Sequence, residues 1–185
     1  MTGFYFAFLA VLIAGVGARD QAAIAALVQR QGARPGVLVT GLAISVATAA
    51  FAAWAAQVIA PLLSPNARLF FAGLALALAG GESLLLMPGR RPQEPTLSLG
   101  ALAVVLLAHQ ATDAARFLVF AIAVATHAPL PVGIGGAAAG AAIVFAGWLA
   151  PELVLDPRLR SLRRGLGALL LAAGAFLCLR AMGRI

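Results

Sequence analysis

Gly15-Val16-Gly17-Ala18-Arg19-Asp20-Gln21 sets an Arg and an Asp side by side in otherwise apolar sequence. Phe4 to Ala14 precedes it and Ala22 to Val28 follows, and neither flank carries a charge. A second stretch, Gln110-Ala111-Thr112-Asp113-Ala114-Ala115-Arg116, holds one acid and one Arg in the second half of the chain. A charge at membrane depth costs about 2.5–3.5 kcal/mol on insertion scales, so such charges are paired or functional. The reading of the whole chain turns on whether these two stretches lie in membrane spans.

Composition says that they do. Of 185 residues, 63% are hydrophobic and 10% charged, against about 25% charged in a soluble domain. This much apolar sequence is expected to form a polytopic, all-α membrane protein in one transmembrane domain. All 13 basic residues are Arg and the net charge is +7. Most of them fall between hydrophobic spans, which the positive-inside rule explains, and no aromatic-interleaved basic patch points to nucleic acid. The single cysteine, Cys178, excludes an intrachain disulfide and reads as a packing or lipid-facing residue. Met1 to Ala18 has no basic leader, so it is expected to be the first membrane helix rather than a cleaved signal.

Six spans follow. The first runs over 3–31 and exceeds the roughly 20 residues a crossing needs, so it is tilted, or broken near Gly15 and Gly17. Turns at 32–36 and 64–66 set off spans at 37–63 and 67–87. A Pro-rich polar linker at 88–95 falls almost at the midpoint. Spans at 96–126, 132–155 and 159–182 complete the chain. Val37 to Gly41 matches Val132 to Gly136 at an offset of 95, and Arg68 to Gly73 matches Arg160 to Gly165 at 92. The shared order of features predicts two inverted three-helix repeats, 3–87 and 96–182, with a site at mid-depth between them. Loops after spans one, three and five hold Arg30, Arg34, Arg90, Arg91, Arg158, Arg160, Arg163 and Arg164; the other side holds Arg68, Arg180 and Arg184. That bias places the first group in the cytoplasm and both termini outside, in a bacterial inner membrane.

As continuous helix, Gly17 and Gln21 share a face, Asp113 can pair with Arg116 or His109, and Gln110 and Asp113 present oxygens to one patch. Oxygen ligands of this kind suit hard divalent cations. The alternative is charge neutralisation, Arg19 with Asp113 and Arg116 with Asp20, which makes the site structural glue. His109 is a packing residue or a proton relay. Glu82, near the end of span three, is expected to be interfacial and solvated. Trp54 and Trp148 read as packing or interfacial aromatics. No catalytic constellation is present, so an enzyme is not expected.

At these motifs the chain resembles the Gdt-type cation/proton exchanger family, the Golgi manganese–calcium transporters and their bacterial manganese-exporting relatives. That family has two repeats, each opening Glu-x-Gly-Asp-Lys/Arg-Thr/Ser and usually followed by Gln. Gly17, Arg19 and Gln21 match the first copy, with Gly15 at its Glu, Ala18 at its Asp and Asp20 at its hydroxyl position. Asp113 matches the second, with Gln110 at its Glu and Arg116 at its Gln. The resemblance implies exchange of Mn²⁺ or Ca²⁺ for protons. Gly17, Arg19, Asp20, Gln21, His109, Gln110, Asp113 and Arg116 would form the pathway, and Asp20, Asp113 and Gln110 would touch the ion. It implies no tightly bound cofactor; the partners are the bilayer, the transported ion and protons, and a homodimer is compatible with it. Two further readings stay open: a transporter of an anionic or amino-acid substrate, and a non-transporting scaffold.

Overall fold

On the first long helices, large apolar side chains turn outward and small ones inward. The computed structural model describes residues 2–85 and 97–184, which form helices and no strands. The linker at 88–95, with Arg90 and Arg91, lies outside the described residues. The chain runs through α1 (Thr2–Gly15), α2 (Arg19–Gln31), α3 (Pro35–Ile59), α4 (Pro65–Leu85), α5 (Leu99–Ala111), α6 (Ala114–Thr126), α7 (Pro129–Leu149), the short α8 (Pro151–Val154) and α9 (Pro157–Ala181). A single 3₁₀ turn, Ala60–Leu62, extends α3. On α1, Gly3, Ala7, Val11 and Ala14 are buried while Tyr5, Phe6 and Leu9 face out. On α3, Gly41, Ser45, Ala49, Ala52 and Ala56 are buried while Val46, Phe51, Trp54 and Val58 face out. Hydrocarbon exerts no hydrophobic force between helices, so small inward residues, which let backbones approach, do the packing.

Four helices are long and apolar enough to cross a membrane, and six crossings result if each of two bent pairs counts as one. The chain has the make-up of a multi-pass membrane protein. The bent pairs are α1–α2, at 57°, and α5–α6, at 53°. They are the long first and fourth spans, and each breaks at its charged stretch. The first break has a local cause. Gly17 adopts a φ of +68°, where a Cβ is strained, and the helix restarts at Arg19. The second is an N-cap restart. Asp113 is extended, and its carboxylate accepts the Ala115 N–H at 3.4 Å.

Two antiparallel pairs hold the molecule together. α4 lies against α9 with Gly73 on Gly174 and Gly80 on Gly167. A Cβ on Gly174 would sit 2.4 Å from the Ala77 backbone nitrogen, and one on Gly80 would sit 2.5 Å from the Gly167 carbonyl. Nothing larger than glycine permits this approach. α3 lies against α7, with Gly133 on Ala53 and Gly140 on Ser45. Phe71 of α4 meets Phe117 and Phe120 of α6 edge-on, which closes α4 over the second break.

Candidate functional site

The two breaks face each other in the middle of the molecule, and Gln110 joins them. Its side chain is fully buried at the end of α5. Its Nε2 donates to Asp20 Oδ2 at 3.1 Å. Its Oε1 accepts from Thr48 Oγ1 at 2.8 Å and from Arg116 Nη2 at 3.2 Å. The neighbours dictate this orientation of the amide, because a carboxylate only accepts and a guanidinium only donates. Asp20 and Arg116 are therefore linked through an amide rather than paired directly.

The first break is cross-braced. The Gly17 N–H donates to Gln21 Oε1 at 2.7 Å, and Gln21 Nε2 donates to the Ile143 carbonyl of α7 at 3.3 Å. Arg163, reaching in from α9, donates to the Gly17 carbonyl at 2.8 Å. Asp20 Oδ1 accepts the Gln21 N–H at 2.8 Å, in the first turn of α2, where the helix dipole favours an acid.

At the second break Glu82 takes both partners. Arg19 Nη2 donates to Glu82 Oε1 at 3.0 Å. The Ala114 N–H, opening α6, donates to Glu82 Oε2 at 3.1 Å. A carboxylate at a free helix N-terminus meets both the orphan N–H groups and the positive end of the dipole. Arg116 Nη2 also donates to Ser45 Oγ at 3.0 Å. The guanidinium lies across Gly140, where a Cβ would come within 3.0 Å of Nη2 and 3.2 Å of Nη1.

A cavity of about 1200 Å³ opens beside this network, between α3 and α4. Arg19, Glu82, Gln110, Asp113, Arg116 and Thr48 contribute its polar wall. Phe51, Leu78, Leu107, Phe117 and Phe120 contribute the apolar part. Charges of both signs thus gather around the two breaks: Arg19, Arg116 and Arg163 against Asp20, Glu82 and Asp113.

No family model, curated protein or solved structure matches the chain.

The expected site residues are distributed unevenly. Arg19, Gln110, Asp113 and Arg116 reach the cavity wall. Gly17 and Gln21 brace the first break behind it, and Asp20 is buried behind Gln110. His109 lies on α5 away from the wall, and its Nδ1 has no partner among the described residues. Several expected contacts change because the helix is broken between the residues concerned. Gly17 is not helical and meets Gln21 through its backbone. Gln110 ends one helix and Asp113 opens the next, so they do not present oxygens to a shared patch. Asp20, Asp113 and Gln110 do not converge as three oxygens, since Gln110 turns its NH₂ toward Asp20. The neutralising pairs are not made as expected: Arg19 takes Glu82, and Arg116 takes Ser45 and Gln110.

Four residues here were not anticipated. Glu82 is only 12% exposed in its side chain, not solvated at an interface. Arg163, counted as a loop charge, is 4% exposed inside the packed helices. Ser45 and Thr48 lie on the buried face of α3. The one available signal was positional: Glu82 follows Gly80-Gly81, and a carboxylate beside two glycines on an apolar helix sits where another helix comes close.

Proposed function

We propose that the chain is an integral-membrane secondary transporter, with six crossings in two inverted three-helix repeats and its substrate site at the mid-depth cavity. The observation that carries this reading is the meeting of two helix breaks, through Gln110, at the wall of that cavity. Broken spans that meet at mid-depth are how transporters of this kind expose backbone and charge to a substrate. Internal symmetry supports the repeats. α2 and α6 start 95 residues apart, at Arg19 and Ala114, and α3 and α7 start 94 apart, at Pro35 and Pro129. Inverted repeats require equivalent helices to run antiparallel, as α3 and α7 do and as α4 and α9 do. Exchanging each α4 residue for the α9 residue 94 positions later turns the Gly73–Gly174 contact into the Gly80–Gly167 contact.

Two substrate readings each have an observation in their favour. Exchange of Mn²⁺ or Ca²⁺ for protons, as the family resemblance implies, is favoured by two carboxylates, Asp113 and Glu82, on the cavity wall. They would carry cation and proton alternately. An anionic or amino-acid substrate is favoured by Arg19 and Arg116 on the same wall. The scaffold reading needs Arg19–Asp113 and Asp20–Arg116 pairs to fill the centre, and the open cavity counts against it. In the bilayer the basic loops would face the cytoplasm and both termini the outside.

Reconstitution in proteoliposomes tests the proposal. A panel of manganese, calcium and small carboxylates is presented under an imposed pH gradient. Gradient-dependent flux of at least one solute is expected. If the solute is a cation, Asp113→Asn abolishes its flux. Unchanged cation flux in that variant removes Asp113 from the cation pathway, and no flux of any solute removes transport.

A further inference from the structure

Arg116 is 7% exposed, yet its Nε and Nη1 donate to no acceptor among the described residues. Only Nη2 is engaged, by Ser45 and Gln110. A guanidinium carries five N–H donors, and leaving buried ones unmet is costly, more so for a charged group. The nearby acids are occupied elsewhere. Asp20 accepts from Gln21 and Gln110, Glu82 from Arg19 and Ala114, and Asp113 from Ala115. Arg116 also lines the open cavity, although these two nitrogens are themselves shielded from it.

We infer that this cavity binds a small organic carboxylate, with its charged end on Arg116 and its carbon skeleton against the phenylalanines. Three features select that class. Planar guanidinium matches carboxylate geometry, and here it is held flat on Gly140. Beyond the polar strip of Arg19, Thr48, Glu82, Gln110 and Asp113 the wall is aromatic and aliphatic, which rewards a carbon skeleton that a hydrated inorganic anion lacks. The volume, about 1200 Å³, is far more than a bare ion needs. The molecule also shows that a carboxylate is accepted at this break, since Glu82 occupies the neighbouring place between Arg19 and the α6 N-terminus. The free nitrogens of Arg116 are shielded from solvent in this conformation. The ligand therefore reaches them by a shift of the side chain within the cavity.

This inference rests on the reading of the cavity as a substrate site, and the experiment separates the two. The full chain in detergent is titrated calorimetrically with acetate, hexanoate and benzoate, with chloride and phosphate as competitors. Saturable binding is expected, tighter for hexanoate and benzoate than for acetate and not displaced by equal chloride or phosphate. Arg116→Lys keeps the charge but loses the planar fork, and should weaken binding at least ~10-fold. Helix content and monodispersity are checked alongside. If that variant does not fold, Phe117→Ala serves, and should weaken hexanoate more than acetate. Absence of saturable binding, equal affinity in Arg116→Lys, equal displacement by phosphate, or an unchanged hexanoate-to-acetate ratio in Phe117→Ala overturns the inference. Carboxylate binding without flux in proteoliposomes removes transport and leaves the site standing. Manganese flux without carboxylate binding does the reverse.

Discussion

Replacing Gln110 by Leu tests the central network. The two side chains have nearly the same volume, so no cavity is left, and the loss isolates hydrogen bonding. Three bonds disappear: one to Thr48 at 2.8 Å, one to the Asp20 carboxylate at 3.1 Å and one to the Arg116 guanidinium at 3.2 Å. On the soluble-protein scale, bonds to charged groups are worth about 1.5–3 kcal/mol each and a neutral bond about 1, which totals roughly 4–7 kcal/mol. Interhelical bonds measured in a membrane average only about 0.6 kcal/mol, because the unfolded helices find other partners in lipid. That scale gives roughly 2 kcal/mol. Asp20 and Arg116 are buried and have few alternatives, so the expected loss lies between these bounds, at about 3 kcal/mol. Reversible unfolding in mixed micelles, followed by circular dichroism, measures it. Thr48→Val, which removes the neutral bond to Gln110 and the hydroxyl's contacts to the Ile44 and Ser45 carbonyls of its own helix but touches neither charged group, should cost under about 1 kcal/mol. If Gln110→Leu costs no more than Thr48→Val, Gln110 does not hold the two charged groups, and the account of the site fails.

Further outcomes follow from the packing. Gly174→Ala places a Cβ against the backbone of α4 and should cost at least ~2 kcal/mol. Gly165→Ala, where nothing lies within 4 Å, should gain up to about 1 kcal/mol from helix propensity, and the same unfolding assay compares the two. Arg163→Met removes the donor to the Gly17 carbonyl while keeping the stem, and should raise amide exchange at 16–18 several-fold with little change in α5. Equal exchange in both proteins would show that the break is held without α9.

Class and the first break were legible because their causes are local. A chain 63% hydrophobic with its charges confined to a few stretches belongs in a bilayer whatever its tertiary contacts. The bend at Gly17 needs a positive φ that glycine adopts freely, and it is one of the two outcomes expected for an over-long first span. The second break could have been read from Thr112-Asp113-Ala114, since an Asp with two small residues after it is a helix N-cap, but the apolar run on both sides reads as one helix. Partner choice is different. Asp20 meets Gln110 across 90 residues, Arg19 meets Glu82 across 63, and Gly17 meets Arg163 across 146. Those pairings depend on how closely the helices approach. That depends on which glycines face one another: Gly73 and Gly80 draw α4 onto α9, and Gly140 opens the space that Arg116 fills. The sequence by itself determined a membrane protein with charges inside two over-long apolar spans. Only the tertiary structure decided that Glu82, not Asp113, neutralises Arg19 and that Arg116 keeps donors to spare, because inside packed helices each charge takes whichever partner the packing brings within about 3 Å.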